Sequence, residues 1–267
     1  MNEIFNESTT AQIDAKLHSD ILKHEDNIEK ICIIIYFILL FLFRGWIGYW
    51  LKFGVAIPYK FESKPVITIE EPVQINYTKD EQAQKTFVYK SLINKTKTTI
   101  IPQAKYKISG LTITYNHSSG FMNNFYNQAI LYDYGTAWGK LGNKQFFDNY
   151  YECSYEKSNL SGYRYIRTFH RAFAPPITED YEKSHWSHSH IIPANRNIMA
   201  AFLKIKKWDK VTIEGELVDI KYTDRFNFTQ KYKTSLSRTD NGTEGRGSGP
   251  AEIIYVTKVK IGNKVYK

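Results

Sequence analysis

Three histidines within six positions, His185-x-x-His188-x-His190, are the residues of this chain best suited to chemistry. Neutral imidazole is a common zinc ligand, and three ligands with an open fourth position make a hydrolytic centre. On a strand, residues two apart share a face, so His188 and His190 point the same way. A loop before them would bring His185 round, and His170 or a distant Asp or Glu would complete the shell. That pattern points to a metal-dependent hydrolase with zinc as its cofactor. Against it, only Trp and Ser interleave the histidines, and no acidic residue stands at a recognisable ligand spacing. A polar loop that implies no cofactor accounts for the same residues.

Other constellations are weaker. His190-Ile191-Ile192-Pro193 with Asn195 and Asn197 echoes the start of an HNH nuclease motif. The helix expected after it, Arg196 to Lys206, carries no His, Asp or Glu to hold its metal. Cys153, His190 and Asn195 follow the order of a thiol-hydrolase triad. Cys153, however, lies in an aromatic, strand-like run and not at a helix N-terminus, where a thiolate is stabilised. Ser235-Leu236-Ser237-Arg238-Thr239-Asp240 precedes a glycine-rich loop but lacks the Gly-Lys-Ser/Thr and the following helix of a phosphate cradle. Arg238 and Asp240 remain candidates for holding a ligand or partner. So do Lys204 and Lys207, from the only tight basic cluster. The 20 Tyr, 16 Phe and 5 Trp could stack on sugars or bases, but filling a β-rich core is their commoner use.

The elements that must position these residues begin with Ile31 to Leu51. Residues 31–43 hold no charge, Gly or Pro. Alone they rise only ~20 Å as a helix, too short for a hydrocarbon core of roughly 30 Å. Extended to Leu51 the stretch is long enough, with Arg44 snorkelling and Trp46, Tyr49 and Trp50 forming an aromatic belt. The expectation is one transmembrane helix over 31–51, preceded by a polar, amphipathic tail over 1–30 that could self-associate or lie on lipid.

Charge is divided unevenly. Residues 1–51 carry four basic against seven acidic residues, a net of −3, and the rest 32 against 20, a net of +12. Lys16, Lys23 and Lys30 before the span nearly balance Arg44, Lys52, Lys60 and Lys64 at or beyond its end. No cleavable signal peptide fits, so the expectation is a retained signal anchor with the large domain outside the cytoplasm. Cys153 has no cysteine partner in the soluble part.

After Leu51, Pro58, Pro65 and Pro72 punctuate a region of linker and first strands over 52–104. Residues 105–267 follow as the β-rich domain. Lys105 to Tyr115 and Val211 to Tyr222 alternate as strands, with Gly110 and Gly215 as bends. Phe147 to Glu156 and Tyr163 to Phe173 read as a hairpin, Tyr232 to Ser237 and Glu252 to Ile261 as strands. Asn195 caps a helix over Arg196 to Lys206. Strands with central glycines around one inserted helix suit a mainly β fold: a small OB-like or SH3-like barrel, or a two-sheet sandwich.

Tyr106-Lys107-Ile108-Ser109-Gly110-Leu111, Trp138-Gly139, His190-Ile191-Ile192-Pro193-Ala194-Asn195 and Ser235-Leu236-Ser237-Arg238-Thr239-Asp240 together resemble a family of uncharacterised bacterial proteins. Its members have an N-terminal membrane segment and a β-rich domain. The similarity spans roughly residues 100–267 and implies that architecture, but no catalytic residues. Members are often shorter where this chain has Gly242 to Pro250. The function expected is that of a single-pass, membrane-anchored, non-catalytic binding or assembly module. Its partners would be the bilayer, an envelope protein or a second copy through the N-terminal helix, and not nucleic acid. The alternative is the membrane-tethered hydrolase of His185, His188 and His190.

Overall fold

The structure is a computed structural model that describes residues 31, 33–39, 55–91, 96–117, 132–157, 164–171, 174–223, 226–237 and 251–267. The chain divides into two compact units, Met1–Gly54 and Val55–Lys267. In the first, Ile31 and residues 33–39 are helical. The tail over 1–30 and most of the expected span lie outside the described residues. Among the described residues no helix is long and apolar enough to cross a membrane.

The second unit is mainly β. In chain order it comprises β1 (Lys60–Phe61), β2 (Val73–Asn76), α1 (Lys79–Lys85), β3 (Phe87–Ser91), β4 (Thr96–His117), β5 (Tyr132–Ala137), α2 (Lys144–Tyr150), β6 (Tyr151–Lys157) and β7 (Arg164–His170). Then follow α3 (Glu179–Ser184), β8 (Trp186–Pro193), α4 (Arg196–Phe202), β9 (Lys210–Thr223), β10 (Thr229–Tyr232), β11 (Glu252–Ile261) and β12 (Lys264–Tyr266). Ten strands form one sheet, and β6 and β7 form a separate antiparallel pair. β4 starts before residue 105, and β2 and β3 pair with it, so the region expected as linker and first strands joins the same sheet.

Five strands of the large sheet close on themselves. β4 pairs antiparallel with β5, β5 with β8, and β8 parallel with β11. β11 pairs antiparallel with β9, and β9 returns to β4 over a register running from Lys97↔Thr223 to Leu111↔Lys210. The other strands extend the ring at its margins. Gly215 faces Tyr106 on one side and Val256 on the other. A Cβ there would lie 2.1 Å from the Tyr255 carbonyl oxygen. At Gly110 it would lie 2.4 Å from Thr136 Cγ2 and 2.6 Å from the Ala137 oxygen. Glycine is required at both positions because another backbone or side chain already fills the space.

The bend expected at Gly110 is placed differently. The register shift between β4 and β5 falls between Thr112 and Thr114. Tyr106 and Ile108 face one core, whereas Leu111 and Ile113 face another. Ordinary alternation produces that switch without a bulge, because both faces of β4 are covered.

The main core gathers Tyr106, Ile108, Tyr134, Ile191, Ile213, Leu217, Ile254 and Val256 with Ile198, Ala201 and Phe202 of α4. Each fully buried large side chain contributes about 1.5–3 kcal/mol. Tyr134 buries its ring, and its hydroxyl donates to the Phe202 carbonyl at 2.7 Å, so the phenol stays satisfied. α4 starts where expected: the Asn195 side chain accepts from Ile198 N at 3.0 Å. It ends earlier than expected, because tight bonds from Lys204 N to Ala201 O and from Ile205 N to Phe202 O close its last turn.

A second core, Leu111, Ile113, Leu141, Phe147, Tyr151 and Trp186, lies under α2. Phe147 is therefore helical, and the expected hairpin begins only at Tyr151. Helices α1, α2 and α3, six or seven residues each, were not expected beside α4.

Gly215→Val is expected to drive a side chain into the β11 backbone and cost about 3 kcal/mol or more. The check is the denaturant midpoint of residues 55–267; an unchanged midpoint would contradict the β9–β11 closure.

Candidate functional site

β5 and β8 lie side by side with Asp133 opposite His190 and Gly135 opposite His188. Tyr132, Tyr134 and Ile191 face the main core. Alternation therefore places Asp133, His188 and His190 together on the other face. Asp133 and His190 are buried, and the His188 side chain is 12% exposed. Gly135 contributes no side chain to that face, which leaves room opposite His188.

The three side chains converge on one oxygen. His190 Nδ1 lies 2.5 Å from Asp133 Oδ1, and His188 Nε2 lies 3.7 Å from the same atom. The imidazole rings meet edge to face, with centroids 4.6 Å apart. One ligand-type atom from each residue lies within 4.8 Å of the other two. Burial pushes the Asp133 carboxyl up, but hydrogen bonding to His188 and His190, and their charge, outweigh it and hold it well below the usual carboxylate range. The result is a buried Asp/His/His group of the donor type that could bind a metal.

His185 is not part of it. This residue ends α3 and precedes the strand, so β8 does not set its direction. Its Nδ1 donates to the Tyr181 carbonyl at 2.7 Å, and its ring stacks on Tyr181 at 3.5 Å. Its Nε2 lies 3.0 Å from Glu71 Oε1, while the other Glu71 oxygen accepts from the Trp138 indole at 3.0 Å. His185 thus ties α3 to the segment before β2. His170 pairs instead with Glu182, at 2.7 Å, which also accepts from the Tyr151 hydroxyl. Of the histidines expected to meet, two do. Asp133 takes the third place, a residue at no recognisable ligand spacing from the histidines. The clue was a lone Asp between Tyr132 and Tyr134, which alternation sends to the face opposite the tyrosines.

The other constellations dissolve into structural roles. Asn195 caps α4, and Asn197 binds the Ile57 backbone and the Lys267 carbonyl. Burial pushes the Cys153 thiol up to about 12, the reverse of an activated nucleophile, although Lys207 opposes the shift. Lys204 donates to the Ala56 carbonyl at 3.0 Å, and the Lys207 ammonium lies 4.6 Å from the centre of the Trp208 ring. Arg238 and Asp240 lie outside the described residues. No protein family model, curated protein or solved structure matches the chain.

With Cys32 replaced by Ser, labelling of Cys153 at pH 8 by a thiol reagent is expected to run about a thousandfold slower than that of a free cysteine. Denaturant should restore the ordinary rate; rapid labelling of the folded chain would contradict the burial of this thiol.

Proposed function

We propose that this chain is a single-pass, membrane-tethered, non-catalytic binding or assembly module whose second unit is an OB-like barrel. The observation that carries it is the order of the closed ring. Three antiparallel neighbours, β4, β5 and β8, are followed by α4. Then come β9 and β11, with β11 parallel to β8 and β9 antiparallel to β4. This is the Greek-key order of OB barrels, which present ligands to their second and third strands and the adjoining loops. In this chain those strands are β5 and β8. The partner of this reading is an envelope protein, met outside the cytoplasm.

Two features support tethering. Ile31 and the apolar residues 33–39 are helical, and each of them is between 47% and 63% exposed. A helix that is apolar all round and still exposed suits lipid as its solvent. In the second unit Val55, Ile57, Tyr59 and Phe61 are exposed at alternate positions, while Ala56 between them is buried. That apolar row follows the anchor by only a few residues and suits the headgroup region.

A second reading, a membrane-tethered zinc hydrolase, is favoured by one observation, the meeting of Asp133 with His188 and His190. Asp133 then stands in the shell where the sequence suggested His185.

The full chain is expected to stay with membranes through an alkaline carbonate wash and to leave them only in detergent, whereas residues 55–267 partition to the aqueous phase. Cross-linking in native membranes is expected to trap a discrete protein adduct. A full chain soluble without detergent would remove the tether, and one recovered only as a monomer would remove the assembly role.

A further inference from the structure

We infer that Asp133, His188 and His190 hold one divalent transition ion, zinc before others, on the outer face of the β5–β8 pair; the assignment rests on the zinc reading of this group and goes beyond it by separating metal binding from hydrolysis. The donors are two imidazole nitrogens and one carboxylate oxygen. Zinc, with its mixed N/O preference, accepts that set at about 2.0–2.2 Å, whereas magnesium and calcium favour shells built entirely of oxygen. Tetrahedral coordination at such lengths places neighbouring donors about 3.3 Å apart. The separations from Asp133 Oδ1, 2.5 Å to His190 and 3.7 Å to His188, straddle that value. Side-chain torsions alone can therefore open one contact and close the other, without moving either strand.

The backbone around the group is already fixed. Asp133 and His190 are a directly opposed pair, and His188 sits two positions along the same strand. All three Cα positions are thus set by a ladder that runs from Tyr132↔Ile191 to Ala137↔Trp186. A site on paired strands loses little chain entropy on binding, unlike one gathered from loops. Three protein donors leave one tetrahedral position for water. The ion would fasten β5 to β8 on the face that OB-like barrels use for their ligands.

The test uses the untagged full-length chain in detergent, stripped with a chelator and then titrated with zinc or cobalt(II). About one equivalent of zinc should bind, raising the thermal midpoint, and cobalt should give the intense visible absorption of tetrahedral coordination. His188→Gln and His190→Gln should each weaken zinc binding about a hundredfold, while His185→Gln and His170→Gln leave it unchanged. Circular dichroism checks that each variant is folded, and the wild-type cobalt spectrum stands even if a variant is not. Failure to bind zinc, or zinc indifferent to both His188→Gln and His190→Gln, would overturn the site. Zinc held without hydrolysis of ester or amide substrates would support the site and remove the hydrolase. Hydrolysis that survives chelation, with no zinc bound, would overturn both the site and the zinc hydrolase.

Discussion

β9 is hydrogen-bonded along both edges, to β4 on one side and to β11 on the other, and the second unit depends on that double engagement. A strand paired on both sides has no freedom to slide. Where β9 meets β11, the backbone of Tyr255 and Val256 comes too close to leave room for a Cβ. Gly215 answers that demand. Once β9 joins β11, the register of every other strand in the ring is set in turn. The alternation that sends Tyr132 and Tyr134 inward and Asp133 outward then becomes compulsory, because a slip of one residue would exchange the two faces. The geometry of Asp133, His188 and His190 thus follows from a contact made elsewhere in the ring.

Much of this was legible locally. The alternation of Lys105 to Tyr115 and Val211 to Tyr222, each interrupted by a glycine, marked the two longest strands of the ring. Asn195, three residues before Ile198, marked the start of α4. The short helices were harder, because six or seven residues cannot hold a helix by propensity alone and depend on caps and tertiary burial. The caps were nevertheless written in the sequence. Thr78 with Glu81 forms a capping box, Asn143 accepts from Phe146 N, and Thr178 accepts from Tyr181 N. Each cap precedes a segment whose apolar residues are too few to advertise a helical stripe.

The candidate site was half visible, for a reason that lies in strand pairing. His188 and His190 share a face because they are two apart, which any strand would ensure. Asp133 joins them only because β5 pairs with β8 across more than fifty residues, and no periodicity within β5 announces its neighbour. His185 was misplaced by the reverse effect. The sequence suggested a loop that would bring it round to the other two, but Thr178 caps a helix that ends at this residue and turns its ring toward Tyr181 and Glu71. Local rules located the strands, and pairing between distant segments decided which residues meet.

The parallel pairing of β8 with β11 also sets a schedule for biosynthesis. The two strands are separated by α4, β9 and β10, and β11 is the last ring strand to leave the ribosome. Until then β8 has β5 on one edge and an open ladder on the other, while β9 already has β4 and, over Thr229 to Tyr232, β10. The nascent chain must therefore keep the free edge of β8 unsatisfied while more than fifty further residues are translated, a window in which a chaperone would protect it from pairing with other chains.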